Sequence, residues 1–235
     1  MLTRPAQRKV TMSLARDDVQ RALVVLDAER PVEIRQFRPD LADDEAFLRW
    51  ANQPLLESFQ IESDAQGVVS IMSPTGWSSG PINARIIRRL DAWAETHGGY
   101  VTESSAMYHL AHVGRRVPDA AWISRARLQA VPPRQRRTIL PVAPEFVVEV
   151  RSETDDLDDL MGKMRDWVSD GVLLGLLLDP QTHTGYVFIA GGAEPEVLAD
   201  VFAEQPVLPG FTLDLRTLWA AYDDLFAEQP PHSPQ

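Results

Sequence analysis

The sequence predicts an α/β fold in which a mixed central β-sheet is flanked by helices. Three observations carry that expectation. Residues 145–151 and 172–178 have continuously apolar centres, as strands buried on both faces do. Between them, Leu157, Leu160, Met161, Met164, Trp167 and Val168 recur at helical spacing over residues 155–170. The 235 residues, 44% apolar and 24% charged, are enough to enclose a sizeable core.

Taken in order, residues 1–40 read as a helical extension. Ser13 to Asp17 can cap a helix reaching about Ala28, which Arg30-Pro31 would end. The main domain spans residues 41–227. A short helix is expected from Leu41 to about Ala51, closed by Pro54. Residues 58–62 alternate polar and apolar, and residues 68–72 can pair back across Ala65-Gln66-Gly67 as a hairpin. A loop over residues 74–80 precedes a helix from Pro81, with Ile82, Ile86, Leu90, Trp93 and His97 on one stripe and Gly98-Gly99 as its stop.

Residues 100–110 favour a strand, and Gly114-Arg115-Arg116 a turn. Residues 117–123 form a short strand opening at Pro118. Residues 124–143 are rich in Arg and Pro and read as a loop with one helical turn. After the strand over 145–151, Asp155 and Asp156 sit at the dipole-positive end of the next helix, which Gly171 ends. The strand over 172–178 stops at Asp179-Pro180, and residues 186–189 pair with it antiparallel. A last helix runs from about Asp214 to Phe226, and residues 228–235, with three prolines, form a tail.

Composition removes several function classes. The chain has no cysteine, which excludes disulfides, thiolate zinc sites and cysteine nucleophiles. No apolar run is long enough for a membrane span or a signal peptide, so a cytoplasmic location is the default expectation. The net charge of −11 argues against gripping nucleic acid through the overall field, while leaving room for a local basic groove. Of 23 basic residues, Lys9 and Lys163 are the lysines and the rest are arginines.

Two carboxylates stand in unusual company. Glu149 interrupts an otherwise dry strand, and a buried carboxylate is costly unless paired. Asp119 begins another short strand. If the strands are neighbours, two like charges about 4 Å apart repel by roughly 4 kcal/mol at an effective dielectric of 20, and a hard divalent cation reverses that sign. Mg²⁺, for which Mn²⁺ can substitute, suits one or two carboxylates completed by water and phosphate oxygens. The plainer alternative for Glu149 is a solvated strand end or a pair with Arg151. Lys163 lies on the flank of the 155–170 stripe, where its ammonium can reach the carboxylates; its plainer alternative is a surface pair with Asp159. His109 and His112 would face opposite sides of a strand and are not assigned to a metal.

At this point a resemblance becomes visible. Val117-Pro118-Asp119, the run Pro144 to Ser152, Lys163, Gly171-Val172 and Leu177-Leu178-Asp179-Pro180 are similar in order to the Uma-type family of restriction-endonuclease-like proteins, within the PD-(D/E)XK nuclease superfamily. Ser73-Pro74-Thr75-Gly76 and residues 207–213 resemble further segments, so the likeness covers roughly residues 45–225. It implies a restriction-endonuclease-like core in which Asp119 and Glu149 bind the metal and are catalytic. Lys163 is then the counterpart of the superfamily lysine, moved to the helix. Arg151 stands where the parent motif has lysine; it cannot act as a base but can hold a phosphate bidentately. Leu176 and Trp167 replace aromatics more usual there.

The function so implied is metal-dependent hydrolysis of DNA phosphodiesters, an endonuclease activity, with RNA as a further substrate to consider. The bound metal supplies Lewis acidity and an acidified water. Lys163 orients that water or offsets developing negative charge. Arg115, Arg116, Arg134, Arg136 and Arg137 are candidates for a phosphate-tracking groove. By analogy with restriction-type enzymes, a homodimer is one expected arrangement. Two other readings stand beside this one: a catalytically silent nuclease-fold protein that binds nucleic acid or serves as an accessory, and a hydrolase of some other phosphoester.

Overall fold

The computed structural model describes residues 43–227 except 55, 68, 73–76 and 204, together with three short N-terminal strands. These are β1 (Val10–Met12), β2 (Ala22–Val24) and β3 (Val32–Ile34). β2 pairs antiparallel with β3, which corrects the helix expected through Ala28. The β-branched residue type at position 24 suits a strand better than a helix. Residues 13–21 and 25–28 of that expected helix and the tail over 228–235 lie outside the described residues.

Two sheets share the rest of the chain. α1 (Asp44–Ala51) starts at Asp43, whose carboxylate accepts the Glu45 N–H at 2.9 Å. It packs Phe47 and Trp50 on Ile61, Val69 and Ile71 of the hairpin β4 (Gln60–Ser63) and β5 (Val69–Met72). α2 (Gly80–His97) follows and buries Ile82, Ile86, Leu90 and Trp93 of the expected stripe, while its last member, His97, is exposed. The strand expected over 100–110 is in fact two, β6 (Tyr100–Glu103) and β7 (Tyr108–Leu110), which enter different sheets. A turn breaks them apart: Ala106 N–H bonds to the Glu103 carbonyl at 3.0 Å, and the Ser105 hydroxyl donates to the Glu103 carboxylate.

Residues 114–116, expected as a turn, form strand β8 (Gly114–Arg116), which pairs with β7 and touches β4. Gly114 has φ +76° and lies against the backbone of Ser63, Asp64 and Ala65, leaving no room for a Cβ. The first sheet therefore runs β1-β5-β4-β8-β7. Next come β9 (Ala120–Ile123), the short helix α3 (Arg125–Gln129) and a 3₁₀ turn at Gln135–Arg137, the last two in the segment expected as a loop.

The central sheet is built around β10 (Phe146–Val150) and β11 (Leu174–Asp179), which run parallel and are connected by α4 (Leu157–Ser169). β12 (Thr184–Ile189) and a further strand, β13 (Glu196–Leu198), extend it antiparallel. Its order is β13-β12-β11-β10-β9-β6. The small pair β14 (Val201–Phe202) and β15 (Leu213–Asp214) leads into α5 (Leu215–Asp224).

Strand alternation decides which side chains meet which helix. Phe146, Val148 and Val150 join α2 and α5 in one core. Val147, with Leu177 and Ala121, faces α4 through Met164 and Trp167. α4 comes so close to β11 that a Cβ on Gly175 would collide with the Met164 terminal methyl. Glu149 has the parity of Val147, so it projects between the sheet and α4. No described helix is long and apolar enough to cross a membrane.

Candidate active site

Asp119 and Glu149 belong to neighbouring strands. β9 pairs antiparallel with β10 through Ala120 opposite Val148, and one further step of that register puts Asp119 opposite Glu149. Asp119 is held at both oxygens: Oδ1 accepts from Asn83 Nδ2 at 2.9 Å, and Oδ2 accepts the Val150 N–H at 2.7 Å. Glu149 Oε1 receives the Lys163 ammonium at 2.8 Å and the Trp167 indole N–H at 3.1 Å. Lys163 and Trp167 are i and i+4 on α4, so one helical face presents both donors. Among the described residues, Glu149 Oε2 accepts no hydrogen bond.

The structure thus brings together the three residues read from the sequence as Asp119, Glu149 and Lys163. Glu149 pairs with Lys163 and not with Arg151. Asp156 caps α4 by accepting from the Asp158 and Asp159 N–H groups, which orients the helix that carries Lys163.

A fourth charged member comes from the other sheet. Glu62 on β4 is 3% exposed; its Oε1 accepts the Val117 N–H at 2.9 Å and its Oε2 the Arg116 Nη1 at 3.0 Å. Sequence reasoning missed it because Gln60-Ile61-Glu62 alternates, which puts the Glu on the face expected to meet solvent. Asn83 was missed too, since a lone Asn in an amphipathic helix carries no signal. Its Oδ1 is buried and, among the described residues, has no hydrogen-bond partner.

The cluster's electrostatics follow from burial. Burial pushes the Glu149 carboxyl up to about 7; Lys163 pulls it down, while the charges of Asp119 and Glu62 add to the rise. Burial also raises Asp119, against the pull of the Val150 N–H, Lys163 and Asn83. Glu62 is likewise penalised by burial, but Lys163, Arg116 and the Val117 N–H outweigh it and hold its carboxyl below the usual range. Lys163 loses solvation too, yet Glu149 and Glu62 hold its ammonium above the ordinary lysine value.

The remaining arginines divide. On β8, successive side chains point to opposite faces, so Arg116 turns to Glu62 while Arg115 turns away. Arg115 is 3% exposed, bonds Asp44 at 2.7 Å and lies over the Phe47 ring at 4.8 Å. That placement corrects its expected place in a phosphate groove: the segment is a strand, and alternation buries the side chain. Arg151 donates to the fully buried Asp179 at 2.8 Å and to the Asp155 carbonyl at 3.2 Å. Arg134, Arg136 and Arg137 are exposed, and Arg136 braces its own loop through the Val131 and Gln129 carbonyls. His109 bonds Asp44 and His112 bonds Asp170, each at 2.8 Å, so neither faces this cluster.

The residues present fit a hard divalent ion. The donors are oxygens, two acids share a dry setting that raises both, and the orphaned Asn83 Oδ1 can accept from an ion-bound water. Among the described residues no group of three or more His, Asp or Glu gathers around one point.

Comparison with known proteins agrees with this picture. No curated protein matches. A crystal structure titled as a putative nuclease belonging to DUF820, from Anabaena variabilis, is 17% identical with a TM-score of 0.62, covering 76% of this chain and 97% of the other. That likeness concerns the fold, which is of the nuclease type. Residues 44–216, well over half of the chain, match the family described as Uma2, putative restriction endonuclease, and the chain belongs to that family.

Proposed function

We propose that the protein is a Mg²⁺-dependent endonuclease that hydrolyses DNA phosphodiesters, with Mn²⁺ able to substitute. The observation that carries this reading is the pairing of Asp119 and Glu149 across β9 and β10 with the Lys163 ammonium 2.8 Å from Glu149. Asp119 and Glu149 would hold the ion, with Asn83 and the Val150 N–H fixing the Asp119 carboxylate. When bound, the ion supplies Lewis acidity and a water of lowered pKa. Lys163 offsets the negative charge that develops at the attacked phosphate. Arg116, at the edge of the same cluster, contacts a phosphate oxygen; Arg151 can do so with whatever part of its fork Asp179 and Asp155 leave open.

The test is cleavage of plasmid and single-stranded DNA with Mg²⁺ or Mn²⁺. Wild type should cut, and Asp119→Ala should lose about 10³-fold or more. Equal cleavage by Asp119→Ala would remove the proposal.

One observation favours a second reading, a nuclease-fold protein that binds without turnover. Arg115 and Arg151 are engaged with Asp44 and Asp179, and the net charge is −11, which leaves little free positive surface beside the acids. Metal and DNA binding with no cleavage over many substrates would favour it.

A further inference from the structure

Glu62 belongs to the smaller sheet, yet its carboxylate reaches the segment that delivers Asp119. Val117 N–H is tied to Glu62 Oε1 at 2.9 Å, and Asp119 is tied two residues later to Asn83 and Val150. Pro118, between them, has a fixed φ and no N–H, so the pins on either side set the path into the site. Arg116, one residue earlier, is tied to the same carboxylate at 3.0 Å. Three successive residues ahead of Asp119 are thus held by one carboxylate and one proline ring. A carboxylate only 3% exposed is tolerable when such partners and a neighbouring cation compensate it, and the cation on α4 is Lys163.

We propose that Glu62 is a positioning residue of this site: from the neighbouring sheet it fixes the approach to Asp119 by holding Arg116 and Val117. This rests on the reading of Asp119, Glu149 and Lys163 as the reaction centre. It gives the β4–β5 hairpin a role in the chemistry. A merely structural tie would lower stability without lowering kcat ahead of KM.

Calorimetric titration with Mn²⁺ reads the placement of Asp119 without substrate. Glu62→Gln keeps an oxygen to accept the Val117 N–H and removes the charge that holds Arg116; Glu62→Asp keeps the charge on a shorter arm. In Glu62→Gln Mn²⁺ affinity should fall about 10-fold. With DNA, kcat should fall about 10²-fold while KM stays within about twofold, and Glu62→Asp should recover part of the loss. Asp44→Asn serves as control, since it loosens the Arg115 pair on the opposite face of β8; it should lower Tm with little change in kcat or Mn²⁺ affinity. Unchanged Mn²⁺ affinity in Glu62→Gln overturns the proposal, as does an equal kcat loss in Asp44→Asn at equal loss of Tm. A wild type that binds Mn²⁺ but cleaves nothing sinks the nuclease reading alone, because the Mn²⁺ affinity of Glu62→Gln still decides whether Glu62 places Asp119.

Discussion

Trp167 donates its indole N–H to Glu149 Oε1 at 3.1 Å, so the side chain that fills the space between α4 and the central sheet also orients a carboxylate of the candidate site. It is fully buried and meets Tyr108 edge-on at 5.8 Å. Core packing and site geometry therefore share one residue. Trp167→Phe should cost about 2 kcal/mol, from the smaller ring and the lost donor together. It should also slow cleavage, because Glu149 then keeps Lys163 as its one donor on that oxygen. Urea unfolding and initial rates measure the two effects. A variant that unfolds earlier but cleaves at the wild-type rate would show that the indole only packs.

The Glu149 carboxyl, raised from 4.5 to about 7, makes the metal-free protein sensitive to pH. Between these values the folded state binds more protons at this group than the unfolded state does, so its contribution to stability falls as pH rises. That contribution is full below 4.5 and is lost as pH passes through about 7. At 1.36 kcal/mol per unit the difference is about 3 kcal/mol. In chelator, Glu149→Gln should therefore gain on wild type by an amount of that order between pH 4.5 and pH 8, measured as the difference in unfolding free energy. Added Mg²⁺ should act oppositely in wild type, raising Tm more at pH 8 than at pH 6, since the ion needs the carboxylate ionised. A Mg²⁺ effect independent of pH would place the ion elsewhere.

Much of this site could be read from the sequence because its signals are violations. Glu149 breaks a dry strand, and Lys163 flanks the stripe of an otherwise clear amphipathic helix, so both stand out against a pattern. Glu62 was hidden for the opposite reason: it obeys strand alternation, and its burial goes with the distant Arg116-Val117 segment that closes over it, which local pattern does not encode. Residues 100–110 and 114–116 failed similarly. Their strand propensity was visible or overridden locally, but the break at Ser104-Ser105 and the pairing of Arg115 with Ser63 depend on which sheet each segment joins. The paired strands β10 and β11 were legible because burial on both faces leaves a run with no polar position except the functional one.

Asn83 presents a contrast between its two ends. Nδ2 holds Asp119 at 2.9 Å, while Oδ1 is buried without a partner among the described residues. Asn83→Ala removes both, so the lost bond and the relieved orphan partly cancel, and stability should change by no more than about 1 kcal/mol. Metal affinity should fall about 10- to 100-fold, as when a residue that orients a ligand is removed. Calorimetric titration with Mn²⁺ checks this without substrate. Unchanged Mn²⁺ affinity would mean that the Val150 N–H alone orients Asp119.

Arg151 joins the end of β10 to the end of β11 through Asp179, and to the start of α4 through the Asp155 carbonyl. Asp179 is fully buried, so removing its partner leaves an uncompensated charge, at a cost of about 3 to 5 kcal/mol. If the pair is structural, Arg151→Met and Asp179→Asn should each destabilise strongly. The double variant should lose much less than their sum, because the orphaned group is gone. If Arg151 instead serves chiefly to hold a DNA phosphate, Arg151→Met should leave unfolding nearly unchanged and raise KM, with the salt dependence of DNA binding reduced by about one unit of slope. The buried position of Asp179 favours the first result. A double-mutant cycle by urea unfolding, run beside DNA binding at several salt concentrations, separates the two because each role moves a quantity that the other leaves still.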